Sequence, residues 1–357
     1  MIEMEGTTIA DIKDVARLAN VSIGTVSNAF KHPEKVAEKT REKIFRIAEE
    51  IGFFANPYAS ALVTSQTNII GVLVSYSYAG RHGNGIYKIT REAAKQGYNM
   101  LLSVADMDYE KEKQAVDTFI RYKVDGVIIY ADYAEGKSEH FRKLADHNIP
   151  CVVFKRYDKH YENIVVSADK AFRDLSSQLK QYQHSELGVL MIDPYLPNGA
   201  EGIRIKRMHE LREQLAETGI AFPEENILVV KDETVESGKR GIDEWLSVKE
   251  RLPTVFLCFY DKIAVGAMNR LTERGYRIPQ DVSMVAYGSG DSIAQLTKPS
   301  MATISMSEEE MLKLALDALL DRIRNPQKAL QDYQVSYRFS FNESLGPAPK
   351  TQETKEQ

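Results

Sequence analysis

Residues Asp14–Phe30 read DVARLANVSIGTVSNAF: a short amphipathic helix, a tight turn, then a second helix opened by a serine. Asp11 is placed to cap the first helix, with Asp14 three residues on in the capping-box position. Ile12, Val15, Ala16 and Leu18 supply its apolar face, and Asn20 can take the left-handed conformation of a helix–helix turn. Ser22 caps a helix running to about Phe30, in which Ile23, Val26 and Phe30 face inward while Gly24, Thr25, Ser27 and Asn28 face out. A third helix, EKTREKIFRIAEEIG, carries Ile44, Ile47, Ala48 and Ile51 at helical spacing and stops at Gly52. Pro57 suits the first turn of one more short helix, over roughly 58–64.

From Ile69 the pattern changes to strand–helix alternation. IIGVLVS, YNMLLSVA, VDGVIIYA and IPCVVFK alternate with amphipathic stretches, the first of them a helix from about Ile86 to Gln96. A second series starts near NIVVSADKAFRDLSSQLKQ and continues through LGVLMID, ILVVKD, PTVFLCFYD and DVSMVAYG. Short β-branched runs separated by amphipathic helices predict parallel sheets covered on both faces. About ten strands exceed one Rossmann-like unit, so two lobes are expected. The polar end of the chain, residues 343–357, reads as a disordered tail.

The totals narrow the classes. Composition is that of a globular protein, and no apolar run approaches the ~20 residues of a membrane span. The opening residues carry Glu3, Glu5 and Asp11, so they resemble neither a signal nor a transit peptide, and a cytoplasmic location without membrane contact is expected. Cys151 and Cys258 sit apart in apolar runs, which predicts neither disulfides nor a metal site. No nucleophile–base–acid set or P-loop is visible, so neither catalysis nor a cofactor is expected. The formal charge is −5 overall, yet residues 12–46 hold eight bases against four acids, a modest surplus available to phosphates.

A helix-turn-helix lays its second helix in the major groove, with its N-terminal residues at the base edges. Small and polar side chains suit that position: Asn can bond adenine bidentately, and Ser or Thr can bond bases or phosphates. A helical hairpin packed on a larger domain would carry the same pattern. The wider chain separates the two, because it resembles the LacI/GalR family of bacterial transcription regulators. The family headpiece pattern, T-hydrophobic-x-D-V-A-x-x-A-G-V-S-x-x-T-V-S-R, appears as DIKDVARLANVSIGTVSN, and its third-helix phrase as VAEKTREKIFRIAEEIGFFANP. RLPTVFLCFYDKIAVGAMNRLTERGYRIPQDVSMVAYG and LTKPSMATIS follow in family order.

The resemblance implies an all-α helix-turn-helix headpiece over 1–57, a hinge helix and linker over 58–67, and a two-lobed, periplasmic-binding-protein-like α/β sensor over 68–342 with two Rossmann-like sheets. It implies a homodimer on double-stranded operator DNA, touched by Ser22, Ile23, Gly24, Thr25, Ser27, Asn28, Asn56, Ala59 and Leu62. Leu62 holds the position of the hinge leucine that wedges into the minor groove. An effector between the lobes would meet Arg81, Tyr130, Lys155, Arg207, Tyr260, Asp261 and Gly288, with Arg204 a rival to Arg207.

The departures from the family pattern carry information of their own. Asn28 stands where an arginine is frequent, the hinge lacks basic residues, and Ala37 replaces a capping serine. Tyr260 replaces an asparagine; Gly288 and Lys155 stand where acids are usual. Carboxylates suit neutral sugar hydroxyls, whereas Arg and Lys suit an anion, so the pattern points to a sugar acid or sugar phosphate. Control by a phosphorylated carrier protein docking on the N-terminal lobes is the alternative. A sugar-binding transport protein of similar architecture is disfavoured by residues 8–65.

Overall fold

The computed structural model describes residues 10–53, 66–74, 83–105, 108–130, 139–154, 159–194, 203–249, 251–288 and 295–350. The chain divides into two compact units, Met1–Thr67 and Asn68–Gln357.

In the first unit, α1 (Ile12–Ala19), α2 (Ile23–Lys31) and α3 (Glu38–Glu50) enclose a small core of Val15, Ala16, Ala19, Val26, Ala29, Ile44 and Ala48. Local chemistry sets the boundaries. The Asp11 carboxylate accepts from the Lys13 and Asp14 amides at 2.7 and 3.0 Å, and the Asp14 carboxylate accepts from the Asp11 amide at 3.1 Å. Asn20 ends α1 in the left-handed conformation, φ 55°, ψ 49°, and its amide donates to the Ala16 and Arg17 carbonyls. Two expectations are corrected here. Leu18 and Ile23 are not core residues but stand 46% and 47% exposed, outside the small core that Val15, Ala16, Ala19, Val26, Ala29, Ile44 and Ala48 close. Ala37 precedes α3 with no side-chain hydrogen bond to the first turn. Ala37→Ser should therefore slow hydrogen exchange of the α3 amides by the several-fold equivalent of ~1 kcal/mol; unchanged protection would exclude a capping defect.

The second unit holds two six-stranded sheets, ordered β11-β5-β4-β3-β1-β2 and β12-β10-β9-β8-β6-β7. The first contains β1 (Ile69–Val74), β2 (Asn99–Val104), β3 (Gly126–Tyr130), β4 (Cys151–Phe154), β5 (Glu162–Ser167) and β11 (Asp332–Ser336), all parallel. The second contains β6 (Leu187–Ile192), β7 (Ile227–Val230), β8 (Val255–Phe259), β9 (Ser283–Gly288), β10 (Ala302–Ser305) and β12 (Arg338–Ser340), with β12 alone antiparallel. Strands covered on both faces need apolar residues at consecutive positions, and the sequence supplies them. Val72 and Val74 face one core while Leu73 between them faces another.

Helices α4 (Gly83–Lys95) and α11 (Glu308–Arg324) cover one face of the first sheet; α5 (Tyr109–Arg121) and the short α6 (Arg142–Asp146) cover the other. In the second lobe α7 (Asp169–Gln181) and α8 (Ile203–Ala216) lie opposite α9 (Val235–Val248) and α10 (Asp261–Glu273). The chain crosses between lobes three times: at Ala168 after β5, at Met306 after β10, and at Tyr337 between β11 and β12. The Tyr337 amide donates to the Ser167 carbonyl at 2.9 Å, tying two crossings together.

The disordered tail expected from residue 343 is corrected as far as Lys350. The Ser344 hydroxyl donates to the Met284 carbonyl at 2.6 Å and accepts from the Ala302 amide at 2.8 Å, and Leu345 is 2% exposed. The Gly346 carbonyl accepts from Nε2 of buried His184 at 2.9 Å, and the Ala348 amide donates to Tyr182. Paired backbone and one buried leucine outweigh the polar composition. Residues 351–357 lie outside the described residues.

Candidate nucleic-acid interface and sensor site

Helix α2 begins where its cap dictates. The Ser22 hydroxyl accepts from the Thr25 amide at 3.0 Å and lies 2.9 Å from the Thr25 hydroxyl. Both hydroxyls thus serve the helix end, with lone pairs left for an outside partner. Val26 and Ala29 are buried beneath, and Phe30 packs against Phe45 and Phe53 at ring distances of 5.1 and 5.8 Å. Ser22, Ile23, Gly24 and Asn28 are exposed; Thr25 and Ser27 are half-buried. The helix therefore presents one apolar tip, one bare backbone position and one exposed amide. Asn56, Ala59 and Leu62 lie outside the described residues, as does the expected hinge helix.

In the second lobe, the C-terminal ends of three strands converge on one group of side chains. Past β6, the Asp193 carbonyl accepts from Nε of Arg204 at 3.0 Å, and Nη1 of Arg204 donates to the Tyr260 hydroxyl at 3.1 Å. Tyr260 follows β8 with φ 87°, a region that disfavours side-chain-bearing residues other than Asn, Asp or Gly. Its amide donates to the Tyr287 carbonyl on β9 at 2.6 Å, which holds it in that conformation. Asp261 opens α10 and is 7% exposed, its charge favoured by the helix dipole. Gly288 closes the ring: a Cβ there would sit 3.3 Å from the Tyr260 Cα and 3.4 Å from the Asp261 carboxylate. An acid at that position would thus face a second carboxylate.

The structure gives Arg207 a different setting from the one expected. One turn after Arg204, it is 3% exposed, with Nη1 on the Glu210 carboxylate and Nη2 on the Val166 carbonyl at 2.5 Å. Its guanidinium lies 5.8 Å from the Tyr337 ring. Burial opposes the charge, but Tyr287, Glu210 and Tyr337 outweigh it and hold the guanidinium more basic than usual. Tyr287 itself, buried with its ring tilted against Phe259 and Tyr337 at 4.7 and 4.8 Å, has its phenol pushed well up by desolvation. Arg207 is thereby a fastening between α8 and the lobe crossings. Of the two arginines, Arg204 donates to the Tyr260 hydroxyl, whereas Arg207 bonds Glu210 and the Val166 carbonyl and interacts with Tyr287.

Tyr130 ends β3 in the first lobe, edge-on to Phe154 at 4.8 Å. It lines an apolar cavity with Val74, Ile86, Ile128 and Leu312, and Glu308, the first residue of α11, brings a carboxylate to it. Glu308 carries no local sequence signal, because only the crossing at Met306 delivers it there. Arg81 and Lys155 lie outside the described residues. Cys151 and Cys258 are buried, and burial pushes the Cys258 thiol far up, so it is chemically quiet. No helix among the described residues is long and apolar enough to cross a membrane.

A helix-turn-helix joined to two parallel-sheet lobes defines a ligand-sensing DNA-binding regulator. The profile of the bacterial regulatory proteins of the lacI family matches residues 11–56, and that of the periplasmic binding protein-like domain matches 177–345. The chain is 30% identical over 348 residues to the HTH-type transcriptional repressor PurR of Klebsiella pneumoniae, covering 96% of this chain and 98% of that protein. It is likewise 30% identical to PurR of an Escherichia coli O1:K1 strain, with the same coverage. The crystal structure of the lac repressor dimer bound to operator and the anti-inducer ONPF superposes with a TM-score of 0.79 at 22% identity, covering 94% of this chain and 99% of that one. The chain belongs to the LacI/GalR family of transcriptional regulators.

Proposed function

We propose that the chain is a repressor of carbohydrate-metabolism genes that binds a near-palindromic double-stranded operator as a homodimer. A small anionic, sugar-derived effector held in the sensor, a sugar acid or sugar phosphate, sets the operator affinity. The observation that carries the DNA half is α2 itself, which offers Ile23, Gly24 and Asn28 outward from a helix end that Ser22 caps at the Thr25 amide. Leu62 with Asn56 and Ala59 completes the interface, the leucine wedging a base step apart at the hinge. The effector half rests on Arg204 beside Tyr260, with Gly288 where a second acid would face Asp261. Neither half uses catalytic chemistry.

The test starts from duplexes selected out of a randomised pool by the full-length protein. Asn28→Ala should weaken the selected site by ~1–3 kcal/mol and relax preference at one position per half-site, leaving random duplex affinity unchanged. Equal losses on both duplexes would refute base reading by Asn28. Sugar acids, sugar phosphates and neutral sugars are then titrated with and without that duplex. Ligand and operator must alter each other's affinity by the same factor. A neutral sugar that binds tightly would remove the anionic reading. The engagement of Arg207 with Glu210 keeps a second reading in view: if no small molecule binds and a phosphorylated carrier protein does, that protein is the effector.

A further inference from the structure

The recognition helix opens on an isoleucine that the headpiece does not use. Ile23 is 47% exposed and takes no part in the core that Val15, Val26, Ala29 and Ile44 close beneath it. Next to it, Gly24 carries no side chain, and a Cβ built there would meet only the Ser22 hydroxyl, at 3.6 Å. One turn on, at helical spacing from these two, stand half-buried Ser27 and exposed Asn28. The outward surface is therefore an apolar tip beside bare backbone, followed by hydrogen-bonding side chains. Bare backbone at the second position would let the helix end approach a groove floor closely, with the isoleucine at its tip.

In the major groove the base edges are donors and acceptors apart from the cytosine C5–H and the thymine C5-methyl group, and only the methyl offers an apolar surface of any size. A branched aliphatic side chain cannot satisfy a donor or acceptor and would strip its water without return. It gains only against that methyl. We infer that Ile23 reads a thymine methyl, so that each operator half-site contains a fixed A·T pair beside the base pair addressed by Asn28. This rests on the reading of α2 as the DNA-contacting helix.

The inference is tested on full-length protein with duplexes selected from a randomised pool. Wild type should enrich one thymine per half-site whose replacement by deoxyuridine, which removes only the methyl, weakens binding about fourfold. Ile23→Ala should lose that enrichment and bind thymine and uracil duplexes equally, while Ile23→Val keeps a reduced preference. Because Ile23 is outside the core, the alanine variant should unfold at the wild-type urea midpoint, which separates a lost contact from a lost fold. Indifference of wild type to uracil at every selected thymine would overturn the inference while leaving DNA recognition by α2 intact. Failure of wild type to enrich any sequence would overturn both.

Discussion

Gly266→Ala should cost the sensor more than ~3 kcal/mol and shift its urea midpoint accordingly, beyond the ordinary range for overpacking. A Cβ on Gly266 would lie 1.9 Å from the Val235 carbonyl oxygen, and one on Gly238 would lie 2.2 Å from the Ile263 carbonyl oxygen. Helices α9 and α10 thus cross backbone on backbone, and no rotamer change can move a helix carbonyl aside. Alanine's better helix propensity favours the variant by only ~1 kcal/mol, too little to change the sign. Because α10 begins at Asp261, forcing the helices apart also displaces the sensor group at its N-terminus. An unchanged midpoint would mean that the two helices do not pack this closely.

Glu210→Ala should lower the stability of the protein by about 3–5 kcal/mol, because it strands a guanidinium that is almost fully buried. Arg207→Ala should cost a similar amount, since it removes the link from α8 to the Val166 carbonyl and to Tyr337 at two lobe crossings. The double variant Arg207→Met/Glu210→Leu should recover most of the loss, as both charges leave together. Additive losses in that pair would argue that the two residues act separately. The same series sorts the two arginines by role. Arg204→Ala is expected to weaken an anionic effector at nearly unchanged stability, whereas Arg207→Ala is expected to weaken folding first. If Arg207→Ala abolished ligand binding in a protein of wild-type stability, Arg207 would be the direct ligand contact.

Short-range chemistry leaves its record in the order of the residues. Asp11, Asp14, Asn20 and Ser22 mark the ends of α1 and α2 through bonds spanning two to four residues, so those ends were legible in the order of residues alone. The alternation of β-branched runs with amphipathic helices predicted two covered parallel sheets, because strand burial leaves its mark on consecutive residues. The headpiece phrases likewise identified the family before any geometry was known.

Exposure and pairing at long range depend on how distant elements pack. Leu18 and Ile23 carry the same apolar signal as their buried neighbours; which of them is covered depends on where α3 packs, and no local pattern records that. Arg207 and Glu210 stand three residues apart in sequence, but their burial involves Val166 on β5 and Tyr337 between β11 and β12. The end of the chain through Lys350 follows the same logic. Its composition is that of a solvated tail, yet Leu345 is buried, the Ser344 hydroxyl bonds the Met284 carbonyl and the Ala302 amide, and the Gly346 carbonyl accepts from His184. Composition measures the average preference of a segment for water, whereas order is decided by whether a matching surface exists for the few groups that matter, and only the folded second lobe supplies it.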